Sequence, residues 1–163
     1  MTPVIKNISA KKLVGKKIIT SLTDNKTAEL WKSFMPLKKQ IRNVIGTELY
    51  SLQIHPPSYF HSFDPGTTYE KWAAVEVSHF EELPAGMQTW ELPAGLYAVF
   101  LHKGSSTDTS AFQYIFTQWL PVAEYVLDDR PHFEVLGDKY KNADPSSEEE
   151  IWIPVRPKGK QNQ

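Results

Sequence analysis

Two short segments of this chain carry the same pattern of side chains, and that repetition limits the folds open to it. Trp31-x-x-Phe34-Met35-Pro36-Leu37 and Phe116-x-x-Trp119-Leu120-Pro121-Val122 align position by position at a constant offset of 85 residues. Each belongs to an amphipathic run: Leu30, Trp31, Phe34, Leu37 and Ile41 in the first, Phe112, Ile115, Phe116, Trp119 and Leu120 in the second. Apolar residues three and four apart lie on one side of a helix. A proline inside such a run kinks or ends it. Two helices, each interrupted at a proline, are therefore expected.

The segments around the helices read as strands in the same order twice. Residues 11–22 precede the first helix, with Gly15 marking a bulge or bend, and 48–54 and 72–80 follow it. Residues 88–101, interrupted at Leu92-Pro-Ala-Gly95, precede the second helix, and 130–136 and 149–155 follow it. Residues 1–10 read as a loose lead-in and 158–163 as a frayed tail. The order predicts an α+β fold, a tandem βαββ repeat with pseudo-two-fold symmetry. It makes a single domain over residues 1–163, with half-repeats of about 10–85 and 86–157. Both helices are expected on one face of the sheet, which leaves the other face as a ligand groove between the halves.

The last two strands place acids among apolar residues. A strand points successive side chains to opposite faces. Ile151, Ile153 and Val155 can bury against a helix while Glu150 and Trp152 face the groove. Glu134 joins them if the two strands pair in that register. Glu134 is then a ligand carboxylate or, in the plainer reading, a structural one paired with Arg130. Glu150 is either a groove acid or part of a solvated run with Glu148 and Glu149. Trp72 and Glu76 are the corresponding candidates in the first half, with Tyr50 and Tyr97 as further lining. Trp119 has the helical phase of core.

The formal net charge of −1 offers no basic surface for a phosphate backbone, so direct nucleic-acid binding is not expected. There is no cysteine, which excludes disulfides, thiolate metal sites and cysteine nucleophiles and fits a cytoplasmic protein. No apolar run reaches the roughly 20 residues of a membrane span. His55, His61 and Asp64 share one proline-rich loop whose spacing matches no zinc motif. No metal and no cofactor is expected.

The order of Trp119-Leu120-Pro121, Arg130-Pro131-x-Phe133-Glu134 and Glu150-Ile-Trp-Ile-Pro-Val155 resembles the GyrI-like family, the effector-binding domains of AraC- and MerR-type regulators and their stand-alone relatives. Leu92-Pro-Ala-Gly95-x-Tyr97 and Trp72 fit the same layout. The resemblance covers roughly residues 10–157. It implies a hydrophobic groove lined by aromatics and holding a buried glutamate, which falls on Glu134. Leu136 departs from the pattern, since an aromatic usually stands there. About ten residues precede the first strand, too few for a DNA-binding domain, so a stand-alone member is expected. The favoured function is binding of amphipathic, aromatic or cationic small molecules. One alternative is the family's hydrolase branch, with Glu134 or Glu150 as the acid or base on a strained electrophile such as a cyclopropane. Another is a module that engages a protein partner, either a separate regulator or DNA gyrase. The oligomeric state is left open.

Overall fold

The computed structural model describes residues 1–159. In chain order the strands are β1 Val4–Ile8, β2 Lys11–Thr20, β3 Leu49–Ile54, β4 Tyr69–Val77, β5 Gln88–Leu92, β6 Gly95–Lys103, β7 Tyr125–Leu127, β8 His132–Leu136 and β9 Glu148–Pro157. Helix α1 covers Thr27–Phe34 and continues as a 3-10 turn, Met35–Gln40, that begins around Pro36. Helix α2 covers Ser110–Tyr114, widens to a π turn at Ile115–Trp119 and ends in a 3-10 turn, Leu120–Val122, around Pro121. Both prolines thus fall where the α-helix has already given way, because neither ring tolerates the hydrogen bond an α-helix would need there. The order β2–α1–β3–β4 is followed by β6–α2–β8–β9, with short β7 added before β8. None of the helices among the described residues is long and apolar enough to cross a membrane.

The strands form one mostly antiparallel sheet in the order β1-β6-β9-β8-β3-β4-β2-β5, with β7 beside β9. Two covalent connections bend this sheet onto itself. Only Ser9 and Ala10 separate β1 from β2, and only Pro93 and Ala94 separate β5 from β6. Val4 pairs with Val99 and Lys11 with Leu92, and both pairs sum to 103, so the two ladders keep one register. They are a single ribbon joining the outer edges of the two three-stranded halves, β2-β4-β3 and β6-β9-β8. The result is a closed, barrel-like ring with both helices outside it.

Three apolar clusters follow from that closure. Leu30 and Phe34 of α1 pack on Val14, Ala73, Val75 and Val77. Ala111 and Ile115 of α2 pack on Ala98, Phe100, Ile151 and Ile153. Inside the ring lie Leu13, Leu52, Trp72, Leu92, Tyr97, Phe133 and Trp152. Trp119 meets Phe100 edge-on at 5.1 Å, in the core as its helical phase required.

Four expectations need correction. Residues 4–8 are not a loose lead-in, since they form β1 against β6. Gly15 is not at a bulge: it stays in register with Ala74 and Gln88. A Cβ there would sit 2.8 Å from Ala74 Cα, so the glycine permits close strand approach. The strand expected at 72–80 begins at Tyr69 and ends at Val77, because Ser78 turns away to bond Asn43. Of the tail expected at 158–163, Lys158 and Gly159 form a turn, and residues 160–163 lie outside the described residues.

Candidate functional site

Register decides which candidates share a face. β8 pairs with β9 so that Phe133 opposes Trp152 and Val135 opposes Glu150. Glu134 opposes Ile151 and therefore points out of the ring, toward the helices. This overturns the expected grouping of Glu134 with Glu150 and Trp152, and the reason is a single-residue choice of register. Phe133 stacks on Trp152 with ring centroids 5.1 Å apart and planes 18° apart. That contact buries two large rings and fixes the alternative. Leu136 follows Glu134 to the outer face and is buried there.

The outer face holds a buried polar strip between the two helix clusters. Lys71, only 5% exposed, lies 3.9 Å from Glu134. Glu134 is thus paired with Lys71, and not with Arg130, whose Nε donates to Asp128 at 2.8 Å. Burial lowers the Lys71 pKa against the opposing pull of Glu134 and Glu149. Glu149 is pushed up to about 7, first by burial and then by the charge of Glu134. Lys71 and Glu149 were not among the sequence candidates. An isolated lysine in the run Tyr69-Glu-Lys-Trp-Ala-Ala-Val75, at a position whose strand neighbours are apolar, is the sign that was available.

The inner face carries the remaining candidates. Two rows cross the central strands: Trp72, Leu52, Phe133, Trp152 and Val99, then Ala74, Tyr50, Val135, Glu150 and Leu101. Most of the ring interior is filled. Tyr97 is fully buried, and its hydroxyl donates to the Pro131 carbonyl at 2.8 Å, so it forms the floor. At the end of the ring where Tyr50 and Glu150 lie, a cavity of about 520 Å³ remains, lined by both of them with Ile8, Val135, Leu101 and Trp152 among others. Its rim holds the carboxylates of Glu48, Asp138, Glu148 and Glu150 against Lys11 and Lys139.

Within this cavity the polar groups are arranged in pairs. Trp152 Nε1 donates to Glu150 Oε1 at 3.1 Å. Tyr50 donates its hydroxyl to Glu76 Oε1 at 3.3 Å, and Lys11 stands 3.5 Å from the same oxygen. Burial, then the nearby charge of Glu76, raises the Tyr50 pKa, so the phenol stays protonated. The ammonium of Lys6 sits 5.5 Å from the Trp152 ring centre. Glu150 has no ion pair among the described residues. Such an arrangement can hold an apolar body against Trp152 and Val135 and a positive charge against Glu150.

Trp72 repeats the motif in the first half, at 2% exposure. Its Nε1 donates to Glu70 Oε1 at 2.7 Å, and Lys17 lies 5.9 Å over its ring. Glu70 was missed in the sequence, although Glu70-Lys-Trp72 visibly repeats Glu150-Ile-Trp152. His55 packs against His132 with ring centroids 4.8 Å apart. No group of three or more metal-ligating side chains occurs among the described residues.

The chain belongs to the GyrI-like family: residues 1–156 match the profile of the GyrI-like small molecule binding domain. It is similar to the transcriptional regulator BrlR of Pseudomonas aeruginosa, 27% identical over 150 residues, covering 88% of this chain and 51% of BrlR. It therefore spans about half the length of that curated relative. Among solved structures, the C-terminal domain of EcmrR superposes with a TM-score of 0.70 at 16% identity, covering 96% of this chain and 98% of that domain. SAV2435 bound to tetraphenylphosphonium superposes with a TM-score of 0.68 at 17% identity, covering 96% and 94%. These two likenesses establish the fold.

Proposed function

We propose that this GyrI-like small-molecule-binding domain takes amphipathic aromatic cations at the acidic mouth of its ring. The observation that carries the reading is Glu150, a half-buried carboxylate that bonds Trp152, lacks an ion pair among the described residues and faces a cavity. The charge-selecting role moves from Glu134 to Glu150, because Glu134 is on the far side of the sheet beside Lys71. Trp152, Val135, Leu101 and Ile8 supply apolar wall, at about 25 cal/mol per Å² buried. Tyr50, held protonated, keeps its hydroxyl on Glu76 and lines the cavity. The tetraphenylphosphonium bound to SAV2435 belongs to the same class of ligand. In a regulator such as BrlR, occupancy of a domain like this one would be read by the rest of the chain.

The test is titration of the protein with tetraphenylphosphonium and with the neutral triphenylphosphine oxide, followed by mass spectrometry of each compound. Glu150→Gln is expected to weaken the phosphonium about tenfold and the oxide less than twofold. Equal losses for both compounds would remove the charge-selection reading. A strained electrophile that returns carrying the mass of water would move the domain to the hydrolase branch.

A further inference from the structure

A second cavity, about 730 Å³, opens at the opposite end of β3 and β8 and shares no lining residue with the acidic mouth. Pro56, Pro57, Pro93 and Pro131 form its walls together with Phe60 and Tyr125. These are flat, apolar surfaces suited to a planar ring. Four buried side-chain polar atoms among the described residues lack a hydrogen-bond partner. Three of them belong to residues lining this one cavity: Trp90 Nε1, Arg130 Nη1 and His55 Nδ1. The fourth, on Asn43, does not line it.

Buried polar groups are nearly always bonded, so three orphans around one cavity point to a missing partner. The chemistry of the orphans defines that partner. An indole nitrogen and a guanidinium nitrogen only donate, and a neutral imidazole donates from one of its nitrogens. The other nitrogens of Arg130 are already engaged, Nε with Asp128 and Nη2 with the carbonyls of Leu96 and Val155. Gly95 leaves room for this guanidinium, since a Cβ there would lie 2.6 Å from its central carbon. Asp128 is held by Arg130 at 2.8 Å and Arg156 at 4.0 Å, and Asp129 is exposed at the rim. The lining charges, Arg130 and Arg156 against Asp128 and Asp129, balance, unlike those of the acidic mouth.

We infer that this cavity is a second ligand site, one that takes a planar aromatic carboxylate. The ring lies between the prolines and Phe60, and its entry parts the side chains that cover the orphan nitrogens, so that the carboxylate accepts from Trp90 Nε1 and Arg130 Nη1, with His55 as a third donor. The two ends of the ring would then sort ligands by charge: cations at one and aromatic acids at the other.

Isothermal titration of the whole chain with 1-naphthoate and with the neutral 1-naphthalenemethanol tests this. The naphthoate is expected to bind about tenfold tighter than the alcohol. Trp90→Phe keeps the ring and removes the donor, and should weaken the naphthoate about tenfold while leaving tetraphenylphosphonium unaffected. His55→Phe should weaken it several-fold. Saturation with tetraphenylphosphonium should not displace the naphthoate. Equal binding of acid and alcohol, no effect of either variant, displacement by the phosphonium, or no heat at millimolar naphthoate would each overturn the assignment. A phosphonium that fails to bind would count against the proposed function and leave the naphthoate result standing.

Discussion

The two halves of the molecule contain the same small device in two states. In each, a tryptophan on an inner strand donates to the glutamate two residues before it, under a lysine from the joining ribbon. In the first half the device is closed. Trp72 is 2% exposed, and Glu70 is bonded to it at 2.7 Å and paired with Lys17 at 3.8 Å. In the second half the corresponding bond is longer, 3.1 Å, Glu150 lacks an ion pair among the described residues, and a cavity stands beside it. A buried carboxylate that is fully partnered holds structure, whereas one left with spare acceptor capacity next to a cavity can meet a ligand. The comparison therefore selects Glu150-Ile-Trp152 over Glu70-Lys-Trp72 by state of partnership and not by residue type.

The middle residue differs too, and it supplies the largest test. Lys71 and Ile151 occupy the same place in the two devices, both pointing outward, but only Lys71 pairs its charge with a carboxylate there, that of Glu134. Lys71→Ile would make the first device match the second and leave Glu134 buried without its cation. A loss of about 4 kcal/mol in urea denaturation is expected. Lys71→Ile with Glu134→Gln should recover most of it, since removing both charges of a buried pair is far milder than removing one. A neutral single variant would show that the outward strip does not depend on the pair.

The titration of the outer face comes next in size. Burial depresses His55 to about 4 and His132 to about 3, the second with help from His55. The unfolded chain therefore binds more protons than the folded one below about pH 6.5, so stability falls as pH drops from 6.5 toward 3. Glu149 works the other way. Its folded pKa of about 7 exceeds the ordinary 4.5, so the folded state holds the extra proton and stability falls as pH rises between those values. The histidines dominate, with a net loss on the order of 3 kcal/mol between pH 6.5 and 4 after allowance for solvent screening. Glu149→Gln should steepen the curve between pH 4.5 and 6.5, flatten it between 6.5 and 7, and leave its slope unchanged below 4.5. A variant curve parallel to the wild type throughout would refute the assignment of that window.

Much of this was legible in the sequence, and the failures at the site share one cause. The paired Pro36 and Pro121 placed both helices, and the alternation in 149–155 correctly divided Ile151, Ile153 and Val155 from Glu150 and Trp152. Alternation within a strand, however, does not fix its phase against a neighbour. Glu134 and Phe133 could each have faced inward on pattern alone, and the stacking of Phe133 on Trp152 settled it. The same limit hid the pairing of Lys71 with Glu134, which lie on β4 and β8 and meet across β3. Residues 4–8 looked unstructured because their apolar residues, Val4, Ile5 and Ile8, do not alternate, and they become a strand through backbone pairing with β6 rather than through their own burial.

The smallest effect separates the two devices most finely, because it concerns their lysines. The ammonium of Lys6 lies over the Trp152 face that, in the proposed binding mode, the aromatic body of the ligand would cover, and its side chain is exposed, so it can leave. Removing it with Lys6→Ala eliminates an internal competitor for the ring face. That contact is worth about 0.5–1 kcal/mol at an exposed site, so tetraphenylphosphonium should bind about two- to fivefold tighter. Lys17→Ala removes the equivalent cation from Trp72, whose ring is 2% exposed, and the affinity should stay within error. Weaker binding in Lys6→Ala would mean that the lysine helps to hold the ligand and that the face of Trp152 under it is not the one used. Equal gains from both variants would reduce the effect to a general change in net charge, and the distinction between an open and a closed half would lose its functional meaning.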